Sequence, residues 1–236
     1  MEKLEGRVVA VTGANRGIGL AIAHALSREG ARLVLIGRNR RAIARAAKPV
    51  GNGAMAMVAD VTNPADLGRT FRAIRNHFGR LDVLVNNAGV FTYKPFARTT
   101  LNEWHANINS NLTSLFVVTQ AALPLLKKSS NGHVVNILSI ASRKGFAKCS
   151  AYCASKFGAL GLTKVLREEL RSDGIRVTAI LPGTADTRMA GEFDFPVDRT
   201  KLLQPADIAE AVLAALIQPT RTTVEEILLM PSAGRL

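Results

Sequence analysis

Residues 7–19 are RVVAVTGANRGIG, a run of apolar and β-branched residues followed at once by a glycine-rich turn. The run predicts a first β-strand, and the residues after the turn predict the start of a helix. In such a turn Gly13 permits the tight bend, Gly17 allows backbone to approach a phosphate, and Gly19 allows the helix to pack closely. Free N–H groups at the helix N-terminus favour an anion. The stretch therefore predicts a site for the pyrophosphate of a dinucleotide.

The rest of the chain repeats this alternation of short apolar runs and longer amphipathic stretches, which is typical of strand–helix–strand units and a parallel sheet. The strands are predicted over residues 7–12, 32–37, 55–59, 81–86, 133–138, 175–181 and 226–230. The helices are predicted over 17–28, 64–79, 101–128 and 205–217, with a further helix that carries Tyr152 and ends near Gly174. Pro124 is expected to interrupt or soften the long helix. The pattern predicts an α/β fold of the Rossmann-type, doubly wound class, with a seven-stranded parallel sheet and helices on both faces.

The length and composition favour one domain. The 236 residues, 47% of them hydrophobic, suffice for a single core. We expect a dinucleotide-binding half over about residues 1–90 and a catalytic and substrate-binding half over about 91–236, with a lid at about 188–204. The first residues are polar, and no apolar run approaches the roughly 18 residues of a membrane span. These features predict a cytoplasmic protein with no membrane contact.

The two cysteines and the net charge exclude few further classes of function. Cys149 and Cys153 have no further cysteine and no nearby histidine, so we expect no metal site and a reducing compartment. The net charge of +13 is compatible with nucleic acid, a membrane surface or a polyanionic small molecule, and it does not choose among them. Basic residues are dispersed, are densest at 38–41, and are not interleaved with aromatic residues. We therefore expect no nucleic-acid partner.

Tyr152 and Lys156 are four residues apart on a predicted helix, so their side chains share one face. A neighbouring ammonium favours the ionised phenol, and we expect Lys156 together with a bound cationic cofactor ring to lower the pKa of Tyr152 from its usual value of about 10 to about 7. Ser139 lies thirteen residues upstream of Tyr152. A phenol tuned in this way exchanges a proton, while a dinucleotide at the glycine turn carries a hydride.

Taken in this order and at these separations, the motifs resemble those of the short-chain dehydrogenase/reductase family over nearly the whole chain. The Gly-x-x-x-Gly-x-Gly turn after Thr12 and the Asn-Asn-Ala-Gly segment at 86–89 are similar to that family's. The resemblance implies catalytic roles for Asn111, Ser139, Tyr152 and Lys156. It implies cofactor contacts from Gly13, Asn15, Gly17, Ile18, Gly19, Asp60, Val61, Asn87, Ala88, Gly89, Tyr152, Lys156, Pro182, Gly183 and Thr187. Leu138 and Ala185 depart from the family's usual residues, and neither removes a group that the chemistry needs.

The resemblance also implies a role for each catalytic side chain. Tyr152 is expected to protonate the developing alkoxide, and Ser139 to polarise the carbonyl oxygen. Lys156 is expected to lower the pKa of Tyr152 and to hydrogen-bond the nicotinamide ribose. Asn111 is expected to support a water that links Lys156 to solvent.

Charge at the end of the second strand predicts which nicotinamide cofactor is used. An NAD enzyme places a carboxylate there, about 20 residues past the glycine turn, on the adenosine ribose diol. This chain has Gly37 followed by Arg38, and Arg16 lies inside the turn. A guanidinium supplies a charge-assisted partner for a 2′-phosphate. We therefore predict NADP(H) as the cofactor, contacted by Arg16 and Arg38.

The sequence thus predicts an NADP(H)-dependent oxidoreductase that interconverts a carbonyl and a secondary alcohol. The short lid favours a small or compact carbonyl compound, and the end of the chain resembles the branch of the family that acts on 3-hydroxy acids and assorted carbonyls. The resemblance therefore implies a small 3-hydroxy acid, ketone or aldehyde as the substrate. A 3-oxoacyl reductase acting on an acyl carrier protein or coenzyme A thioester stays open as an alternative, because the basic surface suits an acidic carrier. So does a non-catalytic NADP-sensing or nucleic-acid-binding protein. The resemblance implies a homodimer or homotetramer.

Overall fold

Seven parallel strands form the centre of the molecule. The computed structural model describes residues 4–51 and 53–234. Within them the strands are β1 (Val8–Thr12), β2 (Arg32–Gly37), β3 (Met55–Val58), β4 (Val83–Asn86), β5 (His133–Ile137), β6 (Arg176–Pro182) and β7 (Glu226–Leu229). All neighbours pair in parallel, in the order β3-β2-β1-β4-β5-β6-β7. The predicted Rossmann-type sheet is confirmed, and the predicted strand ends differ from the observed ones by at most two residues.

Helices connect the strands. They are α1 (Gly17–Arg28), α2 (Arg40–Val50), α3 (Pro64–Phe78), α4 (Leu101–Ile108), α5 (Ser114–Leu126), α6 (Ser150–Leu170) and α7 (Pro205–Leu216). The sequence patterns did not predict α2, which begins after Asn39, whose side chain accepts a hydrogen bond from the Ala42 N–H at 2.9 Å. No helix among the described residues combines the length and the apolarity needed to cross a bilayer.

Both faces of the sheet are buried, which explains why its strands are continuous apolar runs. Along β1, Val9 and Val11 pack in the core beneath α1, α2 and α7. Val8 and Ala10 point the other way, into the core beneath α3 and α5. Alternate residues of one strand thus hold helices on opposite faces, as the period of two requires.

The long helix predicted over residues 101–128 is interrupted, but not at the predicted place. It widens between α4 and α5, over residues 109–113, where the Ser114 N–H donates to the Asn109 carbonyl five residues back. Pro124 lies instead within the last turn of α5, where the helix is about to end. Wide turns of this kind concentrate at functional sites, and Asn111 lies at the centre of this one.

A buried chain of polar side chains crosses the middle of the sheet. The Asn86 Nδ2 donates to Asn136 Oδ1 at 2.9 Å and to Thr119 Oγ1 at 3.0 Å. The Asn136 Nδ2 donates in turn to Thr163 Oγ1 at 2.9 Å. All four residues are buried. These bonds fix α5 and α6 against β4 and β5, because an unpaired amide at this depth is costly.

We expect Asn136→Ala to lower the free energy of unfolding by about 2–4 kcal/mol, because it removes the acceptor for Asn86 and leaves a cavity. Urea unfolding followed by circular dichroism measures the change. Asn76→Ala, an exposed site on α3, serves as the control and should change the value by less than about 0.5 kcal/mol. Equal losses in the two variants would contradict the structural role of the polar chain.

Candidate active site

The glycine turn is close-packed as well as tight. Gly17 has φ +54°, in the left-handed region that favours glycine. A Cβ on Gly19 would lie 2.5 Å from Asn87 Nδ2 and 2.6 Å from the Gly13 carbonyl oxygen, so no side chain fits there. Gly19 therefore acts by packing against the turn and Asn87.

The turn is fixed to the neighbouring strand at the place where the strand order reverses. Thr12 Oγ1 accepts hydrogen bonds from the N–H groups of Asn87 at 2.9 Å and Ala88 at 3.0 Å. The Asn87 Nδ2 donates to the Thr12 carbonyl at 2.9 Å. Between β1 and β4 the connections run off in opposite directions, and a crevice opens at the carboxyl ends of the strands.

A cleft of about 530 Å³ occupies this crevice. Its lining includes most of the predicted cofactor-binding residues, namely Gly13, Asn15, Arg16, Gly17, Ile18, Arg38, Asp60, Val61, Asn87, Ala88, Gly89, Tyr152, Lys156 and Thr187. Of the predicted catalytic residues, Asn111, Tyr152 and Lys156 line it too. The cleft is therefore long enough to bring the glycine turn and the catalytic helix into one cavity.

Positively charged side chains line this cleft. Arg38 is 70% exposed, and its guanidinium nitrogen is 3.7 Å from the Asp60 carboxylate. The pKa of Asp60 is lowered: burial, the largest single influence, raises it, but hydrogen bonds from the Thr62 backbone and hydroxyl and the charge of Arg38 outweigh burial. Asp60 thus stays ionised and holds Arg38 at the cleft, where Arg16 supplies a second cation.

A second cavity, of about 350 Å³, adjoins the first. It is lined by Ser139, by Pro182 and Gly183, and by a set of aromatic residues considered below. Five residues line both cavities: Ile18, Leu138, Tyr152, Thr187 and Met189. Of all the predicted site residues, Gly19 is the one that lines neither cavity, for the packing reason given above. Tyr152 is the only titratable side chain among the described residues shared by both cavities.

Without a cofactor, the pKa of Tyr152 is raised and not lowered. Burial of the phenol group, together with the neighbouring Cys149 and Cys153, raises the pKa of Tyr152 to about 12, although a hydrogen bond with Ser139 partly offsets the rise. Lys156 Nζ lies 5.7 Å from the centre of the Tyr152 ring. The phenol is therefore fully protonated at neutral pH and is a proton donor. The lowering expected from Lys156 and a bound cofactor ring together stays a prediction.

Burial makes the charged form of Lys156 less favourable. Its side chain is 6% exposed, and Nζ donates to the Ile137 carbonyl at 3.1 Å. Burial lowers the pKa of Lys156 to about 8 because a buried ammonium loses its hydration. The ammonium thus lies in the cleft, bonded to the carboxyl end of β5, and its charge is only partly compensated.

Asn111 joins the cofactor side of the cleft to the catalytic helix. Its Oδ1 accepts from the Val90 N–H at 2.8 Å, and its Nδ2 donates to the Val90 carbonyl at 3.0 Å and to Ser155 Oγ at 2.9 Å. Ser155 Oγ donates in turn to the Tyr152 carbonyl at 2.7 Å. The water-supporting role that the resemblance implies for Asn111 stays a prediction; the bonds seen here position backbone.

Three site residues escaped the sequence analysis. Ser155 lies between Tyr152 and Lys156 in the sequence. Its hydroxyl, about one helical turn from Tyr152, was the signal that could have identified it. Phe91 and Tyr93 line the second cavity from the irregular segment after β4, where no periodicity marks them. In residues 4–51 and 53–234, no three His, Cys, Asp or Glu side chains come together as a possible metal site.

A glycine turn at the reversal of a doubly wound sheet and a buried Tyr–Lys pair in the same cleft define an oxidoreductase of the dinucleotide-binding α/β class. The sequence profile described as short chain dehydrogenase matches residues 7–195. The protein belongs to the short-chain dehydrogenase/reductase family, whose members use a nicotinamide cofactor.

Similar proteins support this assignment. An uncharacterised oxidoreductase of Staphylococcus aureus strain USA300 is 38% identical over 98% of this chain and 100% of its own length. A metagenomic short-chain oxidoreductase solved in complex with NADP is 33% identical, with a TM-score of 0.85 over 98% of this chain and 99% of that one. An alcohol dehydrogenase from the archaeon Thermococcus sibiricus, complexed with 5-hydroxy-NADP, is 30% identical, with a TM-score of 0.89 over the same shares.

We expect Lys156→Met to be more stable than the wild type by up to about 3 kcal/mol near pH 7, since the ordinary lysine pKa of 10.5 falls to about 8 in the fold. Between about pH 8 and pH 10.5, the unfolded chain keeps the Lys156 proton that the folded protein has lost. Wild-type stability therefore rises with pH over this range, and the difference between the two proteins disappears by about pH 10.5. Urea unfolding at several pH values measures it.

The exposed Lys164→Met on α6 is the matched control, and we expect a change of less than about 0.5 kcal/mol from it. A Lys156→Met protein that is less stable than the wild type near pH 7 would show that the buried ammonium does not carry the expected cost.

Proposed function

We propose that this protein is an NADP(H)-dependent oxidoreductase that interconverts a carbonyl compound and a secondary alcohol. The observation that carries the proposal is the place of Tyr152, a protonated phenol at the junction of the long cleft and the second cavity. A proton donor at that junction faces a cofactor on one side and a substrate on the other. Reduction of a carbonyl consumes one hydride and one proton, and the site provides for both.

The residues of the long cleft suit a dinucleotide. The glycine turn leaves backbone N–H groups at the start of α1 uncovered by side chains, which suits a pyrophosphate. Asp60 and Val61 line the cleft beside Gly37, and Asn87, Ala88 and Gly89 line it further along. When bound, the nicotinamide supplies or accepts the hydride.

The chain's own groups move and hold the proton. Tyr152 donates its phenol proton to the substrate oxygen as the carbonyl is reduced, and takes a proton back from the alcohol in the reverse direction. Ser139 hydrogen-bonds to the same phenol and stabilises negative charge on the substrate oxygen. The ammonium of Lys156 favours the phenolate form when Tyr152 has given up its proton.

The 2′-phosphate preference rests on charge. Gly37 ends β2 with no carboxylate, and its position is close-packed, because an added Cβ would lie 3.2 Å from Ile43 Cδ1. Arg38 and Arg16 line the same cleft. The two similar structures named above were solved with NADP and a hydroxylated NADP, which supports the same cofactor here.

Self-association is part of the proposal. Large apolar side chains are exposed on α4, α5 and α6, namely Leu101, Trp104, Phe116, Phe157 and Val165. Contact with a second copy through these helices removes that apolar surface from water, which favours a homodimer or a homotetramer.

We expect Tyr152→Phe to lower kcat by about 100- to 10,000-fold, because the ring is kept and only the proton donor is lost. The dissociation constant of NADPH, measured by fluorescence quenching, should change less than about threefold. Steady-state turnover at the nicotinamide absorbance measures kcat. Turnover at the wild-type rate would overturn the assigned role, and circular dichroism controls for folding.

We expect the wild type to favour NADPH over NADH, and Arg38→Asp to shift the ratio of the two kcat/KM values toward NADH by about 100-fold or more. The variant loses a guanidinium and gains a carboxylate that repels a 2′-phosphate. Arg45→Asp makes the same charge change on the exposed side of α2, outside the cleft, and should shift the ratio less than about threefold. A wild type that prefers NADH, or equal shifts in both variants, would refute the assignment.

A further inference from the structure

The second cavity gathers much of the aromatic content of the protein. The chain has nine phenylalanines and two tyrosines. Four of the phenylalanines (Phe91, Phe146, Phe193 and Phe195) and both tyrosines line this one cavity. In a chain that is 5% aromatic, such a concentration in one cavity points to a ligand that rings recognise.

The rings come from two separate segments and pack on each other. Phe193, from the predicted lid, lies 5.5 Å from Phe91 and 5.1 Å from Tyr93, centre to centre. Phe195, also from the lid, lies 5.1 Å from Phe193 and 6.1 Å from Tyr93. The lid therefore covers the cavity with aromatic faces and edges.

This aromatic wall extends to the proton donor. The Phe91 ring packs edge-on against the Tyr152 ring, with centres 4.8 Å apart and planes at 87°. Ser139 lines the cavity beside Tyr152. The two hydroxyl groups that would hold a carbonyl oxygen are thus at one end of a space that is otherwise walled by rings and aliphatic groups.

No charged side chain lines the cavity among the residues that the structure describes. The nearby cations are paired or lie over a ring of the wall. Lys148 is paired with Asp194 of the lid and lies over the Tyr93 ring, Lys144 lies over the Phe146 ring with Nζ 5.6 Å from its centre, and Lys94 is paired with Glu103 at 2.8 Å. A carboxylate in the cavity would lose its hydration without gaining a partner, which is strongly unfavourable.

We infer that the substrate is a neutral carbonyl compound that carries an aromatic or similarly flat apolar group next to the reacting carbon, and not a 3-oxo or 3-hydroxy acid. The inference rests on the proposed function, which it makes more specific. The volume of about 350 Å³ is at the small end of the range for ligand pockets, which suits a compact molecule. Phe91, Tyr93, Phe193 and Phe195 are the residues that select it.

The test compares ketones that differ in charge and by one methyl group. Methyl 4-acetylbenzoate and 4-acetylbenzoate share one aryl ketone, and only the second is an anion. With saturating NADPH, we expect kcat/KM for the ester to exceed that for the acid by about 100-fold or more. We likewise expect acetophenone to exceed acetoacetate and an acetoacetyl thioester of coenzyme A. A preference for the acid, for acetoacetate or for the thioester would overturn the inference.

Two phenylalanine variants test the cavity itself. Phe193→Ala should lower kcat/KM for acetophenone by about tenfold or more, chiefly by raising KM, because it removes a ring from the wall. Phe96→Ala removes a ring that is 81% exposed and lines neither cavity, and should leave kcat/KM unchanged within about twofold. Equal effects of the two variants would overturn the inference.

A binding measurement separates this inference from the proposed function. Calorimetric titration of acetophenone and of acetoacetate into Tyr152→Phe saturated with NADP⁺ reports the selectivity of the cavity without turnover. If neither these ketones nor the thioester supports NADPH oxidation by the wild type, the proposed function fails. In that case, tighter binding of acetophenone than of acetoacetate would still support the inferred preference of the cavity. Equal or weaker binding of acetophenone would overturn the inference.

Discussion

The carboxamide of Asn111 is the group on which the arrangement of the proposed catalytic side chains depends. It holds the Val90 backbone through two hydrogen bonds and the Ser155 hydroxyl through a third, and Ser155 holds the backbone of Tyr152. One buried amide therefore fixes the distance between the segment that follows β4 and the helix that carries the proton donor. A regular helix through residues 109–113 would turn this side chain away, and the widened turn is the local distortion that brings it inward. The buried polar chain through Asn86 and Asn136 supports the same geometry from beneath.

Burial sets the pKa values of the proposed catalytic pair, Tyr152 and Lys156, and it lowers the stability of the folded protein. The pKa of Tyr152 rises to about 12 and the pKa of Lys156 falls to about 8 for the same reason, which is that each charged form loses its hydration in the fold. At neutral pH the phenol is neutral, whereas Lys156 keeps a charge that is poorly compensated. A stable protein carries such a group when the chemistry requires it. The aromatic rings that enclose Tyr152 are thus part of what sets its acidity, in addition to shaping the second cavity.

Local patterns predicted most of the fold, because the strands are buried on both faces and the glycine turn has a fixed geometry. Helix α2 was missed because arginines dominate its exposed side, while its buried residues, among them Ile43 and Val50, are few. The interruption of the long helix was expected at Pro124 and lies instead at residues 109–113, because it depends on contacts between Asn111 and residues 21 and 44 positions away. The raised pKa of Tyr152 in the protein without cofactor was not foreseen for a similar reason, because Phe91, which packs on its ring, comes from another segment. Short sequence motifs predicted the position of the site. Its electrostatics and its selectivity, in contrast, arise from tertiary packing.

The common wall of the two cavities has a thermodynamic consequence. Ile18, Leu138, Thr187 and Met189 contribute surface to both compartments, so a molecule that settles these side chains in one compartment alters the fit in the other. By linkage the influence is reciprocal: whatever factor the nucleotide adds to the affinity for the ketone, the ketone adds to the affinity for the nucleotide. Any coupling between the proposed cofactor and substrate therefore passes through this shared wall, and Met189, with its flexible thioether, is the residue of the wall best able to adapt to both.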